Sequence, residues 1–327
     1  MIFAYVPGAN GIERQELAPD QTLTQNAIWI DLMHPTREER ALVESALGIP
    51  LPSFERMREI ETSSRFYTEG DALFMAATIM AQSETPAPSG DAISFILVRH
   101  VLVTLREVEP RPFATYALRL ARTPLMQASG EEVAVGLMET LIDRIADVLE
   151  ALSVDLDRIE RTIFEAEQPG RRVTSQDLRG VIRALGRDEE LTSTARESLL
   201  GIQRMIRYLA LALESDTTRR PDHRARLRTL RRDIDSLNEH IAFESQKIGF
   251  VMNATLGLIN IDQNNIIKIF SVVAVVLMPP TLIASIYGMN FKFMPELQWD
   301  LGYPAVLILM GISAILPYLY FRRKGWL

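Results

Sequence analysis

The chain has 327 residues and a formal net charge of −7, long enough for one soluble domain plus a membrane unit and acidic enough to argue against nucleic acid as a partner. It has no cysteine, which removes disulfides and thiolate metal sites from consideration. His34, His100, His223 and His240 fall in no metal-ligand spacing, and no nucleophile–base set or phosphate loop accompanies them, so neither an enzyme nor an organic cofactor is expected.

Residues 1–109 read as a mixed α/β domain. Candidate strands are Ile2–Val6, Ile28–Leu32, Ala72–Ala77, Ile93–Val98 and Val101–Leu105, each rich in β-branched or aromatic side chains. Thr36 followed by Glu39 is a capping-box pattern and predicts a helix start after Pro35. Ser83 to Gly90 has the composition of a loop. The Met1-Ile-Phe-Ala-Tyr start lacks the basic region and apolar core of a signal peptide, so this domain is expected in the cytoplasm.

Residues 110–220 read as a helical bundle. Met138, Ile142, Ile145, Leu149, Leu152, Leu156, Ile159 and Ile163 alternate at spacings of four and three, the pattern of a long packed helix. Gln168-Pro169-Gly170 predicts a break, and residues 174–213 a returning helix. After the next break, ending at Pro221, nothing interrupts a helix before Pro279-Pro280. That is about 60 residues, or about 85–90 Å at 1.5 Å per residue. The spacing predicts a cytoplasmic stalk, 221–265, running into a first span, 266–287. The arginines between Arg219 and Arg232 lie close to Asp233, Asp235 and Glu239 and have no aromatic residues among them, as on a solvated, salt-bridged face.

Two charge-poor runs, Ile269 to Ile286 and Tyr303 to Phe321, approach the roughly 20 residues needed to cross a bilayer. The second predicts a span over 302–321, and Arg322, Arg323 and Lys324 in the tail 322–327 belong on the cytoplasmic side. Both ends inside put the loop 288–301 outside. There Glu296 and Asp300 outnumber Lys292, a charge balance that suits a cation entrance. Tyr287, Trp299, Tyr320 and Trp326 are placed as interfacial anchors. Pro279-Pro280 predicts a bend in mid-span, equally consistent with a plain kink and with a gating hinge.

One stripe of the first span is small or polar. Asn264, Ser271, Met278 and Ser285 fall seven apart, with Ile267, Ala274 and Thr281 between them, whereas Phe270, Val272, Val276, Leu277 and Ile283 lie off the stripe. Small residues alone also suit helix packing. Asn264 and Asn290 tilt the reading towards water, because carboxamides beside a membrane are costly unless they face protein or solvent. One helix cannot enclose a passage, so the pattern calls for an oligomer. At the end of this span, Tyr287-Gly288-Met289-Asn290 sets backbone carbonyls and a carboxamide oxygen at a membrane face, equipment for handling a hydrated cation.

The stretch Tyr287-Gly-Met-Asn-Phe-Lys-Phe-Met-Pro-Glu-Leu297 resembles the signature loop of the CorA family of magnesium channels. The similarity extends through Ile259 to Phe270, Gly302-Tyr-Pro304 and the tail Arg322 to Leu327, and more weakly through Trp29-Ile-Asp-Leu32 and Glu61 to Phe66. The resemblance implies an α/β cytoplasmic domain, a long helical stalk and two transmembrane helices, assembled as a homopentamer in the cell inner membrane among its lipids. It implies Gly288, Met289 and Asn290 as selectivity filter and the first span as pore lining. The cargo would be Mg²⁺, with cobalt and nickel also carried, and cytosolic Mg²⁺ bound between subunits at acidic residues would close the channel. Asp233, Asp235, Glu239 and Asp91 are candidates for that regulatory role. A neutral pore suits magnesium, which sheds its water reluctantly and would be trapped by a ring of carboxylates. Two alternatives are a zinc transporter of the related ZntB type, against which the Met294-Pro-Glu-Leu297 sequence argues, and a non-conducting membrane-anchored coiled-coil scaffold or sensor.

Overall fold

The computed structural model describes all residues except 9–10, 19–20, 22–25, 86–87, 123–128, 165–173, 215–220, 291, 293, 296–298 and 327. The chain forms two compact units, residues 1–172 with 180–251, and residues 173–179 with 252–327.

The first unit contains a seven-stranded sheet in the order β2-β1-β3-β7-β6-β5-β4. The strands are β1 (Ile2–Gly8), β2 (Gly11–Leu17), β3 (Trp29–Met33), β4 (Phe66–Glu69), β5 (Ala72–Ala81), β6 (Ser89–Val98) and β7 (Val101–Arg106). Among the described residues only the β3–β7 pairing is parallel. Because successive side chains on a strand point to opposite faces, the sheet supports two cores. Phe3, Tyr5, Trp29, Met75, Phe95 and Leu102 enter one; Ile2, Ala4, Ile30, Phe74, Ile96 and Val103 enter the other. All five strands expected from composition are present. The two edge strands, β2 and β4, are additions. Glu13, Arg14, Gln15 and Glu16 of β2 are exposed, so that strand carries no apolar alternation and is held by its register with β1. The expected loop is shorter than its composition implies, since Ser89 and Gly90 already pair with Ala81 and Met80.

The second core is covered by α1 (Arg37–Leu47) and α2 (Phe54–Arg58), which contribute Val43 and Met57; α3 (Thr62–Arg65) is a single turn before β4. The capping box opens α1 as expected: Thr36 Oγ1 accepts from Glu39 N–H at 3.2 Å, and Glu39 Oε2 accepts from Thr36 N–H at 2.8 Å. A buried ion pair joins β3 to β7. Arg106 donates to both oxygens of Asp31 at 2.8 and 3.0 Å, Thr104 donates to Asp31 at 2.7 Å, and Trp29 Nε1 donates to Thr104 at 2.9 Å. Both oxygens of Asp31 are met by donors, which is what makes a buried charge tolerable.

On the first core lie α4 (Arg111–Leu120), α5 (Gly130–Phe164), α6 (Ser175–Glu214) and the start of α7 (Pro221–Tyr287). Buried positions recur at spacings of three and four: Met138, Leu141, Ile145, Leu149, Leu152 and Leu156 on α5, Ala195, Leu199, Ile202, Ile206 and Leu209 on α6, and Leu227, Leu230 and Ile234 on α7, with Ile241 seven further on. Sheet and bundle share this core, so the sequence boundary near Glu109 separates kinds of element and not compact units. Helix α6 comes so close to β5 that a Cβ at Gly201 would lie 2.8 Å from that of Ala77. The expected break at 168–170 falls outside the described residues.

Part of the arginine-rich segment pairs with α5. Arg226 donates to Glu139 at 2.8 Å and to both oxygens of Glu132 at 2.7 Å, and His223 lies 3.0 Å from Glu132. Burial raises the Glu132 carboxyl, but the hydrogen bonds and charges of His223 and Arg226 outweigh it and bring it down to about 2.

The second unit holds the rest of α7 and α8 (Gly302–Arg323). Helix α7 passes through Pro279 and Pro280 without ending.

Candidate ion-conduction site

Two helices of the described chain, α7 and α8, are long and apolar enough to cross a membrane. Within their most apolar windows only 6% and 0% of residues are buried in the single chain, the opposite of a soluble core helix. Within the span, what burial there is on α7 is one-sided. Val272 is buried, and Val276, Pro279, Pro280, Ile283 and Tyr287 are half-buried; at about 100° per residue these six share one face. Asn264, Ile267, Ser271, Ala274, Met278, Thr281 and Ser285 are all exposed and centre roughly half a turn away. The side chains that the chain does shield therefore lie opposite the small-polar stripe, which is left uncovered with Met278 68% exposed, although Phe270, Leu277 and Leu282 off the stripe are exposed as well.

Local chemistry explains how the span ends. Thr281 Oγ1 donates to Leu277 O at 2.7 Å, turning its hydroxyl back onto the helix. Gly288 N–H donates to Ala284 O at 2.9 Å and Met289 N–H to Ile286 O at 3.2 Å, closing the last turn. A Cβ at position 288 would stand 3.1 Å from Ala284 O, so glycine lets the backbone close tightly there. Beyond it Met289 and Asn290 are exposed. The Asn290 carboxamide makes no hydrogen bond to another described residue and is free to meet a ligand or water.

Ala284, Tyr287 and Gly288 share a cleft of about 460 Å³ with Trp299, Asp300 and Tyr303 at the start of α8. Asp300 is exposed at this cleft; Glu296 lies outside the described residues. At the other end of α8, Lys324 Nζ lies 5.7 and 5.3 Å from the ring centres of Tyr320 and Trp326, joining the basic tail to the expected aromatic anchors.

The acidic candidates of the first unit are not brought together. Asp233 and Asp235 are both exposed on α7, but two residues along a helix turn about 200°. Asp235 accepts from Gln203 of α6 at 2.9 Å, whereas Asp233 adds to the negative surroundings that, after burial and Glu139, push the Asp143 carboxyl of α5 upward. Glu239 shares the side of Asp235. Asp91 is paired: Arg58 donates to its two oxygens at 2.9 and 2.6 Å, which lowers the carboxyl. Among the described residues no group of three or more His, Asp or Glu is arranged to hold a metal ion. Sequence reasoning missed the Arg58–Asp91 pair because its partners are 33 residues apart on different elements.

The chain was compared with known proteins. The family model described as CorA-like Mg²⁺ transporter protein matches residues 24–323. The magnesium transport protein CorA of Haemophilus influenzae is 38% identical over 309 residues, covering 94% of this chain and 95% of that protein. That of Escherichia coli K12 is 37% identical over 328 residues, covering 100% of both. In structure, the CorA magnesium transporter of Methanocaldococcus jannaschii superposes with a TM-score of 0.73 at 18% identity, over 100% of this chain and 99% of that one. A full-length match of this extent, joined to the two spans and the Gly288-Met289-Asn290 turn between them, establishes that the chain is a member of the CorA-like Mg²⁺ transporter family.

Proposed function

We propose that the protein is a homopentameric channel of the cell inner membrane, both termini cytoplasmic, that admits Mg²⁺ down the membrane potential. The observation that carries this reading is on α7: the half-polar stripe is uncovered in the single chain, and the buried and half-buried residues of the span all lie on the opposite side. Copies arranged about an axis would cover the stripe with one another and enclose a passage lined by Asn264, Ile267, Ser271, Ala274, Met278, Thr281 and Ser285. Gly288, Met289 and Asn290 form its outer filter, with Asp300 and Glu296 at the entrance.

Neutral oxygens accept hydrogen bonds from the water shell of the ion and leave the shell in place, so binding is weak and release fast. An inside-negative potential supplies roughly 4.6 kcal/mol per 100 mV to a divalent cation, and no chemical step is required. Cobalt and nickel, hydrated ions of the same charge, are expected to pass as well. Closure by cytosolic Mg²⁺ is assigned to acids that meet across subunits, with Asp233, Asp235 and Glu239 as contributors. Asp91, held by Arg58, serves only if that pair opens.

The test is flux into proteoliposomes under an imposed potential, comparing magnesium, cobalt and zinc. Potential-dependent magnesium entry supports the channel. Zinc entry coupled to protons supports a ZntB-type transporter instead, and absence of flux supports a scaffold.

A further inference from the structure

Outside the membrane segments, a cleft of about 340 Å³ lies between α5, α6 and the turn after β5. Asp188 of α6 lines it and is buried, with a side chain only 2% exposed. Its Oδ2 has no hydrogen-bond partner, and its Oδ1 has only the Arg187 guanidinium at 3.8 Å, beyond hydrogen-bond reach. An unmet carboxylate oxygen inside a protein is costly. Asp147 of α5 also lines the cleft and is exposed. The other charges are already paired: Glu84 accepts from Arg144 at 2.8 Å and pairs with Arg111, and Asp155 pairs with Arg158 and, at 3.8 Å, with Arg187. Val148, Leu152 and Leu191 give the cleft an aliphatic wall.

We propose that this cleft binds an aliphatic amine, a linear diamine or polyamine, with one ammonium group on Asp188 and the methylene chain along Val148, Leu152 and Leu191. Mg²⁺ requires six oxygens around one point, and the carboxylates here do not converge on one. An ammonium group needs single acceptors for its N–H donors, and its alkyl stem prefers apolar surface, as lysine stems do. Asp147 is placed to take a second ammonium group. No residue of the conduction site contributes.

Titration calorimetry of the full-length protein in detergent tests this with putrescine, spermidine and MgCl₂ as separate titrants. Saturable amine binding at one site per subunit is expected, about tenfold or more weaker in Asp188→Asn, and unaffected by Glu190→Gln, which removes the same charge from α6 outside the cleft. Asp188 is raised to about 6, chiefly by burial and by Asp155, against the lowering effect of Arg187 and Arg158. Amine affinity should therefore fall about tenfold at about pH 5, where the carboxyl is mostly protonated. Ala151→Lys, at an exposed cleft position, supplies an ammonium group from the chain itself and should abolish binding; it keeps the test valid should Asp188→Asn fail to fold. Equal spermidine binding by wild type and both cleft variants, an equal loss in Glu190→Gln, or heat from MgCl₂ alone would each overturn the proposal.

Discussion

Replacing Glu132 by glutamine tests how the start of α7 is held against α5. In the folded protein His223 and Arg226 keep the Glu132 carboxyl at about 2, whereas its ordinary value is 4.5. At about 1.4 kcal/mol per pH unit that interval corresponds to about 3 kcal/mol of stability. The side chain is 17% exposed, so solvent screening removes only part of it. The sign follows from the direction: a lowered carboxyl stabilises the folded state fully above about pH 4.5, and the contribution drains away as pH falls towards 2. Glu132→Gln should therefore unfold at lower temperature than the wild type at neutral pH, by roughly 2–4 °C per kcal/mol for a unit of this size. The two should draw together as pH falls, with the difference down to about half at about pH 3 and vanishing only below about pH 2. Calorimetric unfolding of the full-length protein in detergent, across a pH series, reads both. A difference that stays constant from neutral pH to about 3 would refute the argument, because it would locate the loss in packing and not in the carboxylate's charge.

Three further outcomes concern conduction. Asn290→Ala should cut magnesium flux severely while the oligomer still assembles; wild-type flux in proteoliposomes would remove Asn290 from the filter. Cysteines placed singly at Ser271, Met278, Thr281 and Ser285 should react with small aqueous thiol reagents, and those at Val272, Val276 and Ile283 should not; equal labelling of both sets would mean the uncovered face does not line water. Asp233→Asn should alter inhibition by internal magnesium separately from the pair Asp235→Asn and Glu239→Gln, because the two lie on different sides of α7; unchanged inhibition curves in both would take these acids out of closure.

How far the sequence reveals the structure depends on whether a pattern is local. The Thr36–Glu39 box closes within one helical turn, and the inner strands must satisfy two apolar faces, so both leave strong traces in the chain. The uncovered stripe of α7 is equally legible, because a heptad repeat fixes a helix face without knowledge of its neighbours. Strand β2 is not legible: its exposed Glu13, Arg14, Gln15 and Glu16 owe their conformation to hydrogen bonds with β1. Proximity in sequence also misled. Asp233 and Asp235 read as a cluster along the chain, yet the helix turns them apart. Asp188, the buried carboxylate of the proposed amine site, drew no notice because nothing in Gly186-Arg-Asp-Glu-Glu190 distinguishes it from its solvated neighbours.

The passage of α7 through Pro279 and Pro280 has a consequence for hydration. Neither proline can donate the hydrogen bond that the carbonyls of Val275 and Val276 ordinarily receive, and the hydroxyl of Thr281 is spent on Leu277. In hydrocarbon an unmet carbonyl costs several kcal/mol. The middle of this span therefore needs a donor from outside its own ladder, and because Val276, Pro279 and Pro280 lie opposite the stripe, that donor has to reach the shielded side of the helix. On this view the two prolines make a fully dry contact on that side of the span unfavourable, and each copy of the helix carries two acceptors that favour a polar neighbour or water there.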